Sequence, residues 1–478
     1  MRTTTFRPLI SALLAAAVLS GCALAPTYER PATTQPAAFK ELQGWAPAAP
    51  ADALDRGPWW TLFNDPVLDG LVRQVEVSNQ NVAAAVAAYS QARALVAQQR
   101  ASLFPTVTLN GGANRNGSGG GSNDNGNNNG RTSNSFRLNI GSSWEPDVWG
   151  RLRAGISAAQ ANAQASAADL ASARLSAQGE LAADYFSLRS VDAQRALLAT
   201  TIEGYQRVLK ITQNRFDVGI VPHSDVYQAQ TQLASAQSDD LTLARQRAQL
   251  EHAIAVLVGK APADFALAPA QWNVTVPDVP VGVPSTLLER RPDIAASERA
   301  VAAANAQIGI VRAAYFPQIG LTASYGPSAS AIGDLFKASS MAWALGLSAT
   351  ETIFNGGANR AAVQGADAAR EQAVARYRQT VLDAFADVED QLNATRVLAQ
   401  QQDLQRLASE AADKVEEQVL NRYKAGQVSY SEVVQAQVTA LNARRALVQT
   451  QGNRQTTAVA LIQSLGGGWH ADQLTAQE

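Results

Sequence analysis

The sequence predicts a mainly α-helical chain with a smaller β-barrel part, and three observations carry that prediction. Stretches 151–216 and 358–423 lack proline and carry apolar residues stepping by three and four, the period of long helices with a coiled-coil seam. Four shorter segments alternate apolar with polar or small residues, the period-two pattern of strands with one greasy and one wet face. The chain also repeats itself: residues 215–230 read RFDVGIVPHSDVYQAQ and residues 422–437 read RYKAGQVSYSEVVQAQ, an offset of 207 with no gap.

Composition narrows the function classes. Aromatic residues make up 6% and charged residues 17% of the 478, an Ala- and Gln-rich balance suited to close-packed helices rather than to a typical enzyme core. The formal charge of −2 offers no basic excess for nucleic acid. One cysteine excludes an intrachain disulfide.

The N-terminus has the form of a targeting segment. Arg2 and Arg7 give a positive start, and Leu9 to Leu19 is an apolar run too short to span a bilayer. It ends in Leu19-Ser20-Gly21-Cys22, which resembles a bacterial lipobox. The expectation is a signal peptide at 1–21 and a mature chain starting at Cys22, with a diacylglyceryl thioether on its sulfur and an acyl chain on its amine. At about 0.8 kcal/mol per buried CH₂, several such chains give stable anchoring. Ala23, not Asp, follows, which in lipoproteins implies delivery to the outer membrane. No later run is apolar enough for a membrane helix, so any span must be a β-barrel.

The helices follow in order. In 151–216, Leu188, Val191, Leu198, Ile202, Tyr205, Leu209, Thr212 and Phe216 form one seam; in 358–423, Val381, Phe385, Val388, Leu392 and Thr395 form its counterpart. Each segment is about 100 Å long at 1.5 Å per residue. The returns are split into shorter helices, 224–258 with 292–315 and 427–465 with 67–103. Their interruptions fall midway and predict a mixed belt around a helical cylinder. The reading divides the mature chain into a lipidated segment 22–66, a first repeat 67–260, an equatorial linker 261–290, a second repeat 291–470 and a tail 471–478.

Strands are expected at about 104–112, 134–144, 317–326 and 340–349. The tract between the first two, 111–134, is so rich in Gly and Asn that it reads as a flexible exposed loop. Four strands cannot close a membrane barrel, whose smallest single-chain form has about eight. Two copies would supply eight strands and three would supply twelve; twelve leave room for a conduit.

These features resemble the TolC-like outer-membrane factors, in the lipoprotein branch (NodT/OprM-like) that serves resistance-nodulation-division efflux pumps. The resemblance rests on Pro26-Thr27-Tyr28-Glu29-Arg30-Pro31, WWTLFNDPVLDGLV (59–72), WEPDVWGRLR (144–153), LLERRPDI (287–294) and the two repeats, in that order. It implies a homotrimer with a twelve-stranded outer-membrane barrel continuous with a periplasmic helical barrel. It also implies a periplasmic adaptor and an inner-membrane pump as partners, outer-membrane lipids around the barrel, and no cofactor beyond the lipid on Cys22.

The candidate site lies at two turns, 217–223 and 424–430, around Gly219 and Val221 and around Gly426 and Val428. Gly supplies the backbone freedom to end a helix. Asp225 and Glu432 follow in the first turn of the next helix, where carboxylates suit the helix dipole whether or not they do more. The resemblance implies that these turns are the periplasmic tips that narrow the duct. It gives Asp225 the role of bonding to the neighbouring helix pair, Tyr423 that of its partner, and Glu432 a place facing the pore. Where some members carry a gate arginine this chain has Val428. His223, His252 and His470 are far apart in sequence, and no catalytic constellation stands out. A passive exit duct is therefore expected, with a lipid-anchored coiled-coil scaffold or a periplasmic adaptor as the alternatives.

Overall fold

A computed structural model describes residues 24–33, 36, 38–42, 58–118, 131–279 and 290–471. The expected signal peptide and Cys22 lie outside the described residues, as does 280–289. The principal elements are helices α1 (Pro66–Ser78) and α2 (Gln80–Ala101), strands β1 (Thr106–Ser118) and β2 (Arg131–Trp144), and helices α3 (Arg151–Asp217), α4 (His223–Leu257) and α5 (Pro292–Arg312). Strands β3 (Gln318–Ala329) and β4 (Met341–Thr350) and helices α6 (Ala358–Lys424) and α7 (Tyr430–Ser464) complete the order. Helices α3 and α6 each hold 67 residues, and α4 and α7 each hold 35, so both pairs start and stop at the offset of the sequence repeat.

Local chemistry sets the boundaries. Asp65 caps α1, accepting from Val67 N at 2.9 Å and Leu68 N at 3.1 Å, with Pro66 at the first helical position, where no N–H is needed. Such a cap is worth about 1 kcal/mol. The Tyr185 hydroxyl donates to the same carboxylate at 2.6 Å. The expected single helix over 67–103 is instead two. Asn79 leaves the helical conformation, its side chain accepting from Asn81 N and Val82 N at 2.9 and 3.1 Å and donating to Leu257 O at 2.9 Å. At the head of α3, Asp147 accepts from Leu152 N and Arg153 N, both at 2.9 Å, and Trp149 donates to Pro317 O at 2.7 Å while stacking on Phe316.

The strands form one antiparallel sheet in the order β1-β2-β3-β4. Directly opposed residues share a face, and the register aligns Leu109, Ile140, Tyr325 and Trp343 in one row across all four strands. Val107, Ser142, Ala323 and Leu345 make a second row on that face, and Trp144, Leu321 and Leu347 make a third. The opposite face carries Thr108, Gly141, Ser324 and Ala344, then Thr106, Ser143, Thr322 and Gly346. One face is thus apolar yet exposed, Trp343, Leu345 and Leu347 most of all. The Gly/Asn tract is not wholly loop as expected: 111–118 and 131–134 extend the ladder, which runs from Gly111 opposite Leu138 to Ser118 opposite Arg131. Backbone hydrogen bonding along an established ladder outweighs the weak strand preference of Gly and Asn.

The compact units are not the two sequence repeats; each gathers pieces of both. One comprises Met1–Pro31, Ser90–Ala165 and Ser297–Tyr377, and the other Ala32–Tyr89, Ser166–Ala296 and Arg378–Glu478. In the first, the segment before Pro31 is strapped to α5 and α6. Tyr28 donates to the buried Glu298, Asn305 donates to Pro26 O at 2.7 Å, and Arg30 donates to the Tyr377 hydroxyl at 3.2 Å. Burial and the Glu298 carboxylate together hold the Tyr28 phenol well above its usual range. In the second, Trp59, Phe63, Leu68, Val72, Val75, Leu181, Tyr185 and Phe186 are all buried, and Phe63 packs on Phe186 with centroids 4.7 Å apart.

Helices α4 and α7 end alike. Gly259 N–H donates to Val256 O and Lys260 N–H to Ala255 O; Gly466 N–H donates to Gln463 O and Gly467 N–H to Ile462 O. Gly259 and Gly466 have φ of 70° and 93°, and a Cβ on them would strike the carbonyls of Ser78 and Arg290 respectively. Gly219 has φ 77° but open space around it. Gly219→Ala should therefore cost only the left-handed backbone penalty of about 1–2 kcal/mol, and Gly466→Ala that penalty plus a collision, about 3 kcal/mol or more. Thermal unfolding of the detergent-solubilised variants, followed by circular dichroism, measures the difference.

Candidate gate at the hairpin tips

Each long helix reverses direction through the same backbone device. In α3, Gly219 N–H donates to Phe216 O and Ile220 N–H to Arg215 O, both at 2.8 Å. In α6, Gly426 N–H donates to Tyr423 O and Gln427 N–H to Arg422 O, both at 2.9 Å. Both glycines sit in the left-handed region, at φ 77° and 73°. The paired bonds satisfy the last carbonyls of each helix, so the turn can be short. Val221 and Val428 are half-buried behind the turns.

The carboxylates that follow are engaged locally. Asp225 lies in the first turn of α4 and accepts from the Ser224 hydroxyl at 3.5 Å. Glu432 lies in the first turn of α7 and accepts from both the N–H and the hydroxyl of Ser429 at 3.4 Å, the reciprocal arrangement of a capping box. Glu432 stays exposed, so the cap leaves its charge facing water.

Tyr423 is buried between the two hairpins. Its hydroxyl is 3.5 Å from Thr212 Oγ1, whose own proton is committed to Val208 O at 3.0 Å, so Tyr423 donates. Arg215 donates to Tyr423 O at 3.0 Å and lays its guanidinium 4.8 Å from the Tyr423 ring centroid. Tyr423, Tyr430, Val208, Ala229 and Val433 form one apolar cluster, and Val428 packs on it. The valine at 428 thus gives the tip apolar anchorage. Burial first, then the nearby Tyr423, Tyr205 and Asp225, raise the Tyr430 pKa far above the usual phenol range, so this hydroxyl stays protonated. Among the described residues no hydrogen bond joins Asp225 to Tyr423.

Above the tips, ionic links brace the α6–α7 pair and one joins it to α4. Arg444 reaches Asp413 at 2.6 Å and Glu416 at 2.8 Å, and Arg445 reaches Asp239 at 2.8 Å. Burial raises the Glu416 pKa against the opposing pull of Arg444. A cavity of about 530 Å³ lies here, lined by Tyr205, Ile211, Glu416, Lys424, Gln437 and Arg444. Among the described residues no group of three or more His, Cys, Asp or Glu side chains could hold a metal. His223 instead stacks between Phe216 and Tyr227, at 4.5 and 4.3 Å.

The sequence pattern places Tyr423 at the site and Thr212 on the seam but singles out neither Arg215 nor Arg444. A signal for Arg215 was present: arginine precedes the aromatic in both copies of the repeat, at 215 and 422. Removing Arg215 takes away a carbonyl bond and a ring contact, together worth about 1–2 kcal/mol at a half-buried site. Arg215→Ala should speed amide hydrogen exchange in 212–220 and 419–428, leaving the rest of α3 and α6 unchanged.

A family model described as "Outer membrane efflux protein" matches residues 71–260 and 283–467. The probable efflux pump outer membrane protein TtgC of Pseudomonas putida is 30% identical over 468 residues, 97% of this chain and 96% of that protein. The pyoverdine export outer membrane protein OpmQ of Pseudomonas putida is 33% identical over 440 residues, covering 90% and 93%. Among solved structures, the outer-membrane channel OprN is similar with a TM-score of 0.87 at 28% identity, covering 94% of this chain and 100% of that one. The open state of the Neisseria gonorrhoeae MtrE outer membrane channel is similar with a TM-score of 0.82 at 29% identity, covering 94% and 98%.

Proposed function

This chain belongs to the outer membrane efflux protein family, and from that premise we propose that three copies of it close a twelve-stranded barrel in the outer membrane, continuous with a duct of twelve helices in the periplasm. It is a passive outer-membrane channel of an efflux pump and not an enzyme. The observation that carries the trimer is the open-edged sheet: four strands, an apolar face exposed over three rows, and two edge strands without neighbours among the described residues. Hydrocarbon tolerates neither free edge, because every unpaired N–H and C=O there costs several kcal/mol. A further copy pairing β4 with β1 removes both edges, and three copies leave a lumen where two would fill it with side chains.

The barrel exists to pass solutes that another machine drives. The relatives' names attach antibiotic, toluene and pyoverdine export to proteins of this family. For this chain the partners are a periplasmic adaptor meeting the tips and an inner-membrane transporter of the resistance-nodulation-division type. Cargo is small molecules chosen by that transporter. Cys22 carries the diacylglyceryl and acyl groups, a second anchor beside the barrel; the mature N-terminus should appear lipidated in mass spectra, and an unmodified one would end that part of the reading.

Edge pairing has a parity. Odd-numbered residues of β1 and β4 share the apolar face, so the closing pair must match odd with odd. Leu109→Cys with Leu347→Cys should crosslink neighbouring copies, and Leu109→Cys with Ser348→Cys should not. The purified protein should have the mass of a trimer in detergent. A conducting monomer would refute the closure.

At the tips, Tyr423 ties adjacent hairpins through Thr212 and Arg215 and holds the duct nearly closed, while three copies of Glu432 face one another at the constriction. Such a ring attracts cations and repels anions. Glu432→Gln should lower the cation-to-anion permeability ratio in planar bilayers, because the Gln keeps the cap and loses the charge. An unchanged ratio places the selectivity elsewhere.

A further inference from the structure

Three copies of a chain built from two like halves place six like hairpins in a ring. Every seam between the hairpins of one chain then recurs between chains, with each residue replaced by its counterpart 207 positions away. The residues that join the helices of neighbouring chains can be read from that exchange, on the strength of the trimer proposed above.

Within the chain, Leu197 and Val208 of α3 pack into clusters that include Leu441 and Val433 of α7, and Arg215 lies on the ring of Tyr423. The counterparts of Leu197 and Val208 are Leu404 and Val415 on α6. Both are bare in the single chain, 68% and 51% exposed, and Leu407 beside them is 65% exposed. An apolar helix face so open needs a cover. On the receiving side, the counterparts of Leu441, Tyr430 and Tyr423 are Ala234, His223 and Phe216. Phe216 is half-buried, and Ala234 and His223 are exposed.

The two seams differ where polar locks are concerned. Arg445 of the within-chain seam corresponds to Ser238, and its partner Asp239 corresponds to Ala446. The Arg445–Asp239 ion pair, which joins α7 to α4, therefore has no equivalent between chains. One feature survives the exchange. Arg215 and Tyr423 become Arg422 and Phe216, a cation and an aromatic ring once more. Arg422 is exposed in the last turn of α6.

We propose that the α6 face bearing Leu404, Leu407 and Val415 packs on the α3–α4 face of the next copy, and that Arg422 stacks there on the next copy's Phe216 as the between-chain lock of the gate. The ring of tips then carries six arginine–aromatic pairs of alternating kind, three Arg215–Tyr423 within chains and three Arg422–Phe216 between them. An arginine thus serves the between-chain seam from the last turn of α6, although position 428 holds a valine. The weaker seam is the one between chains, since it keeps the ring stacking and lacks the Arg445–Asp239 ion pair.

Two measurements test this on the full-length trimer. In a Cys22→Ser background, Phe216→Cys with Arg422→Cys should give covalently joined dimers and trimers on a denaturing gel with a short thiol-reactive linker. Chains that stay single while the native mass is that of a trimer overturn the pairing. In planar bilayers, Arg422→Gln and Phe216→Leu should each raise the open probability about ten-fold, as expected when three weak cation–ring interactions are removed together. The double variant should open no more than either single one. Wild-type conductance in Arg422→Gln, or two effects that multiply, overturns the lock. A wild-type mass other than that of a trimer would instead sink the reading on which this rests, so the two failures are distinguishable.

Discussion

In hydrocarbon a backbone N–H or C=O has nothing to bond to except another strand. That constraint reaches from the sheet to the tips. The chain supplies four strands whose register keeps one face apolar across Leu109, Ile140, Tyr325 and Trp343. It leaves β1 and β4 as edges, and a soluble sheet would blunt them with charge or proline. Along β4 the residues are Met, Ala, Trp, Ala, Leu, Gly, Leu, Ser, Ala and Thr, without a charge or a proline. Such an edge is built to be paired. In the proposed trimer, where copies pair there, the helices that follow each strand join one ring, and each tip must find neighbours.

Duplication lets one packing solution serve the whole ring of the proposed trimer. The repeat preserves helix lengths to the residue, as 67 and 35 in both halves, and preserves the glycine-based stops at Gly219, Gly259, Gly426 and Gly466. A helix that ended one residue later would rotate its next neighbour by about 100° and turn its apolar face away from the seam. Keeping the length between stops is what would allow the six hairpins of the proposed trimer to pack alike. The stops are also where local chemistry is least negotiable, because Gly259 and Gly466 are pressed against the carbonyls of Ser78 and Arg290.

Much of this was legible in the sequence, and for identifiable reasons. Long proline-free stretches with a three-four period admit few alternatives, so α3 and α6 were readable to within one residue of their ends. The four strands were readable because alternation with a wet face and an apolar face is distinctive where no core intervenes. Two features were not. The break at Asn79 depends on a side chain bonding to Leu257 O, 178 residues away, which no local pattern encodes. The extension of β1 and β2 into the Gly/Asn tract depends on each strand having the other beside it. At the tips the sequence yielded Tyr423 and the glycines, since aromatic and glycine recur in register. It did not reveal that Tyr423 is held by Arg215 and Thr212, because those contacts join α3 to α6 across more than 200 positions.

The halves have also diverged in one informative place. Arg291 precedes α5 as Asn79 precedes α2, and both donate to a carbonyl at the end of the helix below, Arg291 to Ser464 O and Asn79 to Leu257 O. Arg291 additionally reaches Asp293 at 2.7 Å and Asp387 at 3.2 Å. Asn79 has the same capping reach but no charge, and the counterpart of Asp387 in the first half is Glu180. Without an arginine in that place, burial first, and Glu180 second, push the Asp184 pKa up to about 6. The cap is thus the shared requirement of the repeat, since both halves meet it with different side chains. The charge balance is the negotiable part. One half commits an arginine to it, while the other tolerates a carboxyl that takes up a proton in mildly acidic solution. Because that carboxyl binds its proton more tightly folded than unfolded, it subtracts from the stability of the folded chain as pH rises from about 4 to 6.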